Sequence, residues 1–273
     1  MSDPNKLLAN EDNWITDIGA WFPSEGAVLR GKRLFHDFHE LSWMGLLLYG
    51  ITGRTFDANQ TRLFEGMWKL CCNFPDPRLW NNRVAALAGT ARSTAGLGVG
   101  AAIAVSEASI YGRRPDIRTI DLLYRTQQHL EQGADLSTLI QNELETHGEI
   151  FGYGRPITQK DERIAPMLAL AKNLGYGGGT YVRLAFAIEE VLLSRRWRWR
   201  LRINIAALLA GLAADLGLSR LEYYRFMIMC FCGGMLPCHI DAMNKPEGTL
   251  LPLRCDRIAY HGPGKRRWDS PSE

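Results

Sequence analysis

Apolar residues recur at three- and four-residue intervals through most of the chain, with polar residues filling the other faces. This pattern predicts helices over 37–50, 58–72, 83–110, 117–132, 137–147, 166–174, 181–193, 204–216 and 221–232. Asp57 precedes the second of these as a helix cap, and Ser219 with Glu222 three residues later reads as a capping box for the last. Segment 83–110 is rich in Ala, Gly, Ser and Thr, a composition that lets helix backbones approach closely and places it at the centre of a bundle. Alternation of period two is not sustained anywhere, so no strand is expected. The stretch FGYGRPITQKDER at 151–163 and the Gly177-Gly178-Gly179 run read as loops. Many helices joined by short connections imply an all-α bundle. Its expected divisions are a large domain over 1–150, a smaller lobe over 151–200, opened by a Gly-rich loop and closed by an Arg-rich run, and the large domain's C-terminal helices and tail over 201–273.

Composition narrows the function classes. The chain has 273 residues, 46% hydrophobic and 22% charged, enough apolar material for a packed core and against wholesale disorder. A net charge of +3 gives no general electrostatic case for a nucleic-acid partner. No uncharged apolar run approaches the length of about 18 residues that suggests a membrane span, and the nearest, Ile203 to Leu218, carries Asp215. The N-terminus lacks the basic-then-apolar form of a signal peptide. Six cysteines in a chain this long read as thiols of a reducing cytoplasm rather than as a disulfide scaffold.

Several motifs invite sharper readings. GLGVGAA at 96–102 lacks the preceding strand of a dinucleotide loop and reads as a packed helix. Cys230, Cys232, Cys238 and His239 could meet at a metal only through a distorted turn, so packed thiols are expected and no metal site is assigned. SRRWRWRLR at 194–202 suits an anionic surface in isolation, but in a nearly neutral chain the favoured reading is a solvated Arg edge with Trp packed inward. The 151–163 loop is the most informative. It sets Arg155 and Arg163 on one connection, and two guanidiniums converging there can clamp a carboxylate.

From residue 25 to 265 the order of segments resembles the citrate synthase superfamily, which includes citryl-CoA lyases. The likeness rests on EGAVLRGKRLFHDF with WMGLLLYGITGR, on GYGRPITQKDER, on INIAALLAGLAADLGL, and on CGGMLPCHIDAMNKPEG with RCDRIAYHGPGKRRW. It implies an all-α homodimer of large and small domains, with a cleft for a coenzyme A thioester substrate and a carboxylate, and no tightly bound cofactor. Gly152, Gly154 and Lys160 then fall at the thioester. Arg163, Asn204 and either Arg254 or Arg257 fall at the carboxylates, the last contributed across the dimer.

The family's acid–base set is replaced in this chain. Tyr111 and Arg155 stand where its two histidines belong, Ala206 replaces its aspartate, and Phe231 lies where an arginine is expected. Ala206 cannot take a proton, and Arg155 can steady an oxyanion but not shuttle one. Ordinary citrate synthesis is therefore expected to be absent or slow. His239 or Asp241 is the nearest replacement by sequence context, with Tyr111 acting on a developing oxyanion. The expected function is making or cleaving a C–C bond in an acyl-CoA or polycarboxylate. The alternative is a non-catalytic protein that binds such a ligand.

Overall fold

The computed structural model describes residues 3–13, 15–72, 74–107, 113–155, 160–194, 201–250, 252 and 254–264. The Arg/Trp run at 195–200 and Tyr111 lie outside the described residues. Twelve α-helices follow in chain order among them: α1 (Pro4–Ala9), α2 (Trp43–Thr52), α3 (Ala58–Cys71), α4 (Trp80–Thr90), α5 (Ala95–Val105), α6 (Arg113–Glu131), α7 (Leu136–His147), α8 (Ile164–Asn173), α9 (Thr180–Ser194), α10 (Ile205–Asp215), α11 (Arg220–Ile228) and α12 (Cys232–Met243). Three short antiparallel strands, β1 (Gly19–Phe22), β2 (Gly26–Leu29) and β3 (Lys32–Arg33), form a small meander between α1 and α2.

The centre is α10. Its sequence IAALLAGLAAD is apolar all round, and every residue from Ala207 to Ala214 is buried, as a helix without a polar face requires. Asp215, at its C-terminal end, is the exception. Its two carboxylate oxygens accept the backbone N–H groups of Tyr181 and Val182 at 2.9 and 3.1 Å, which caps the start of α9. Around α10 the main core gathers Leu63, Phe64 and Met67 of α3, Ile120 and Leu123 of α6, Met167 of α8, Val182 and Ile188 of α9, and Tyr223 and Phe226 of α11. Phe64 and Phe226 meet edge to face at 5.2 Å. Residues between 164 and 192 thus share one core with the flanking helices.

The helices α4, α5 and α12 form a second packing unit with its own apolar clusters around Ala85, Ala102 and Met235, and Ala86, Cys238 and Ala242. Two expectations for 83–110 are corrected here. The segment is two helices, because Arg92 takes a left-handed backbone at φ 58° and Thr94 caps a new helix by accepting the Leu97 N–H. Nor does it lie at the centre of the bundle: of α5, only Gly98 and Ala102 are buried. The strands are a further difference. They are two to four residues long, and β1 is exposed on both faces, so no alternation marks it.

The two capping boxes at Asp57–Gln60 and Ser219–Glu222 are formed. The stretch Arg220–Met243 is long and apolar enough to cross a membrane, with mean hydropathy 1.5. It is α11 and α12 joined by a single 3-10 turn at Met229–Phe231, and it sends Tyr223, Phe226, Met227, Cys230, Met235 and Cys238 into the protein interior.

Candidate functional site

A cavity of about 680 Å³ opens where the 148–155 loop meets the start of α10, within the usual size range of small-ligand sites. The loop is held by backbone pairing. Tyr153 bridges Ile203 in antiparallel fashion, the Gly154 N–H donates to the Arg202 carbonyl at 2.6 Å, and the Asn204 N–H donates to the Gly152 carbonyl at 2.9 Å. Tyr153 anchors it from below, its buried hydroxyl donating to the Ala185 carbonyl at 2.8 Å. Burial, reinforced by Glu189, pushes that phenol far above its ordinary range, so it serves as a structural donor.

The two glycines flanking Tyr153 have physical work to do. Gly152 and Gly154 have φ of 89° and 83°, a region L side chains avoid. A Cβ on Gly152 would also lie 2.7 Å from Thr119 and 2.8 Å from Ala207. The GYG sequence therefore lets the loop reverse against α6 and α10 and turn Arg155 into the cavity.

Charge in the site is organised by Asp161. Its side chain is 0% exposed, and it accepts hydrogen bonds at both oxygens. Oδ1 takes the Arg163 backbone N–H at 3.1 Å and Nε at 2.8 Å, and Oδ2 takes Arg163 Nη2 at 2.8 Å and the Ile205 backbone N–H at 2.9 Å. Burial alone would raise this carboxyl. The hydrogen bonds from Arg163 and Ile205 outweigh it and hold Asp161 below its ordinary range. Arg155 Nη1 lies 3.5 Å from Asp161 Oδ1 and 2.5 Å from Glu162 Oε2. Asn204 caps α10, its Oδ1 accepting the Ala206 N–H and its Nδ2 donating to the Gly154 carbonyl, both at 2.9 Å.

Of the residues expected at the site, Gly152, Gly154, Arg155, Arg163 and Asn204 line this one cavity, together with Ala206 and Phe231. Lys160 is exposed on the same loop and does not line it. His239 and Asp241 are elsewhere. His239 is 2% exposed between α12 and the α4–α5 turn, with Nε2 donating to the Ser93 carbonyl at 2.9 Å. Asp241 is exposed and paired with Lys245 at 2.5 Å. The reason is helical rise. Phe231, just before α12, reaches the cavity, and eight residues on His239 is about 12 Å further along at 1.5 Å per residue. Arg254 pairs with Asp256 at 2.6 Å in the exposed C-terminal segment, and Arg257 lies in the same segment, away from the cavity. Among the described residues no group of three or more His, Cys, Asp or Glu is placed to hold a metal ion, and Cys230 and Cys238 are buried thiols.

Titratable cavity residues absent from the sequence expectations include Glu149 of the 148–155 loop and three from other elements. Asp116, 6% exposed in the first turn of α6, lines the cavity, as do Cys71 and Cys72 at the end of α3. Burial raises the Cys72 thiol, with Cys71 and Cys232 adding to the effect. These last three come from 35 or more positions upstream of Gly152, and neither Asp116 nor the cysteine pair carries a motif.

No family model matches the sequence, and no curated protein is similar to it in sequence. Solved structures are similar in fold. The citryl-CoA lyase of Hydrogenobacter thermophilus superposes with a TM-score of 0.80 over 93% of this chain and 97% of its own, at 19% identity. The ATP citrate lyase of Methanothrix soehngenii, in complex with citrate and coenzyme A, gives 0.75 at 17% identity, and this chain spans 45% of its length. The citrate synthase of Thermotoga maritima gives 0.59 at 16% identity over 84% of this chain and 60% of its own. The chain thus has the all-α, citrate synthase-like helical fold.

Proposed function

We propose that this protein makes or cleaves a C–C bond in an acyl-CoA or polycarboxylate substrate, in the cavity between the 148–155 loop, α6 and α10. The observation that carries the reading is the meeting of two guanidiniums, Arg155 and Arg163, with the buried carboxylate of Asp116 in one cavity. Arginine supplies charge for a carboxylate or a developing oxyanion, and a carboxylate can move a proton. The fold's likeness to a citryl-CoA lyase, and to an ATP citrate lyase seen with citrate and coenzyme A, supports a coenzyme A thioester as substrate.

In this reading Tyr111 donates to the developing oxyanion, and Arg155 holds a substrate carboxylate beside it. Arg163 and Asn204 order the carboxylate side, and Gly152 and Gly154 serve the thioester, while Lys160, outside the cavity lining, takes no role. The base is Asp116. It stands in the first turn of α6 and lines the cavity. It replaces His239 and Asp241, which do not reach the cavity. Ala206 on the cavity wall offers no proton acceptor. Such a site suits cleavage that starts by removing a hydroxyl proton rather than a proton beside a thioester.

We further propose a cytoplasmic homodimer. Leu87, Leu97, Leu236, Ile240 and Met243 are all exposed on α4, α5 and α12, an apolar surface that a second copy would cover isologously. Such a dimer is the arrangement through which Arg254 or Arg257 would serve the partner's cavity. Sedimentation should show a dimer at micromolar concentration, and a stable monomer would remove the basis for that role.

The test of function is turnover. Purified protein incubated with citryl-CoA should release acetyl-CoA and oxaloacetate. Tight binding without product would instead favour a non-catalytic binding protein, the reading that the loss of the family-type acid–base residues makes specific.

A further inference from the structure

We infer that Glu162 occupies, on Arg155, the place a substrate carboxylate takes, so that the cavity selects acyl groups bearing a free carboxylate by exchanging one carboxylate for another. The inference rests on the reading of this cavity as the substrate site. Its ground is the unequal standing of the two acidic partners in the loop. Asp161 is fixed: its side chain is 0% exposed, and four hydrogen bonds from Arg163 and Ile205 fill both of its oxygens. Glu162 is not. Its side chain is 71% exposed and reaches over to Arg155 Nη1 at 2.5 Å from the solvent side.

Arg155 stands between them. Its side chain is 23% exposed and lines the cavity, with Asp161 Oδ1 at 3.5 Å on its inner side. Arg163 has committed its Nε and Nη2 edge to Asp161. Within the loop these four side chains sum to zero charge, two guanidiniums against two carboxylates, and Asp116 and Glu149 add further carboxylates to the cavity wall. An anionic ligand added to that arrangement would bring an uncompensated negative charge. A ligand carboxylate that displaces Glu162 leaves the balance at zero and returns the glutamate to water. Release is easy because exposed ion pairs hold weakly, and the incoming carboxylate takes over the Nη1 position that Glu162 leaves. Beyond Arg155 the wall turns apolar, with Leu201, Ile205 and Phe231. The fitting ligand has a carboxylate at one end and carbon behind it. A plain acetyl thioester offers nothing to exchange for Glu162.

The experiment is calorimetric titration of citrate into the full chain and into Glu162→Gln, Arg155→Gln and the double variant. Glu162→Gln, at an exposed position, should bind citrate about three- to five-fold tighter, the release of one exposed ion pair. Arg155→Gln should weaken binding at least ten-fold, and Glu162→Gln should then bring no gain. Unchanged or weaker binding by Glu162→Gln would overturn the inference while leaving the cavity reading standing. So would tightening that persists in the Arg155→Gln background, since that would be a general effect of removing negative charge. If none of the four proteins binds citrate or citryl-CoA, the cavity reading falls and the inference with it. Thermal melting of each variant without ligand separates binding loss from unfolding.

Discussion

Asp161→Asn should destabilise the protein by about 3–5 kcal/mol, because breaking a buried ion pair leaves an uncompensated charge. In this fold that charge is Arg163, held at Nε and Nη2 by Asp161 alone among the contacts described above. The amide would also place an NH2 group against donors, since Oδ1 and Oδ2 receive the N–H groups of Arg163 and Ile205. The same bonds join the 160–163 loop to the first residue of α10, so the damage is to the central helix as well as to the cavity. At 2–4 °C per kcal/mol for a chain of this class, the melting temperature should fall by about 10 °C. A matching acid signature is expected. Asp161 is held below its unfolded value of about 3.9, so its contribution is complete above that pH and is lost as pH falls through the depressed folded value. Urea unfolding from pH 7 to pH 3 should show wild type losing stability at the acid end with a slope that Asp161→Asn lacks. Equal stability of the two proteins at pH 7 would contradict the structural role assigned to Asp161.

Asp116→Asn should do the reverse, leaving the fold intact and removing the chemistry. A positioned general base typically contributes about 10²–10⁴-fold, so kcat for citryl-CoA cleavage should fall by that factor. The change keeps the side chain's shape while removing its ability to accept a proton, and calorimetric affinity for citryl-CoA should change little. Full activity in Asp116→Asn would remove Asp116 as the base and transfer the proton chemistry to another group, Glu149 of the cavity wall being the next carboxylate. The pairing of the two variants is informative in itself. Asp161 is tied into the loop by Arg163 and Ile205, and Asp116 lines the cavity wall, so the two variants separate a structural role from a chemical one.

Much of the helical layout was readable in the sequence because each cue was local. α10 announces itself by an unbroken apolar run after Asn204, and the boxes at Asp57 and Ser219 mark helix starts by residue type and spacing. The strands at 19–33 escaped because they are two to four residues long and uniform in burial, β1 and β3 exposed and β2 half-buried throughout, so none buries an alternating face. The break inside 83–110 escaped because one left-handed arginine, Arg92, carries it, and arginine is not a turn residue by type. For the site, Gly152, Gly154, Arg155 and Arg163 were legible as one contiguous loop, and Asn204 as the cap of the helix that the loop packs on. Asp116, Cys71 and Cys72 enter from α6 and α3 through tertiary packing, which no spacing rule encodes. His239 and Asp241 were expected at the cleft because the resembled family brings its C-terminal helix there; in this structure they lie outside the cavity lining, since helical rise carries later turns of α12 away from Phe231.

Cys71 and Cys72 provide the most direct measurement, because they line the cavity and are partly exposed thiols outside any disulfide. Alkylation of each by iodoacetamide can be followed by peptide mass spectrometry with and without saturating citryl-CoA. The account predicts that citryl-CoA slows labelling at Cys71 and Cys72 several-fold and that citrate alone gives partial protection. Unchanged labelling at both thiols, under conditions where calorimetry shows citryl-CoA bound, would place the ligand elsewhere and contradict the account.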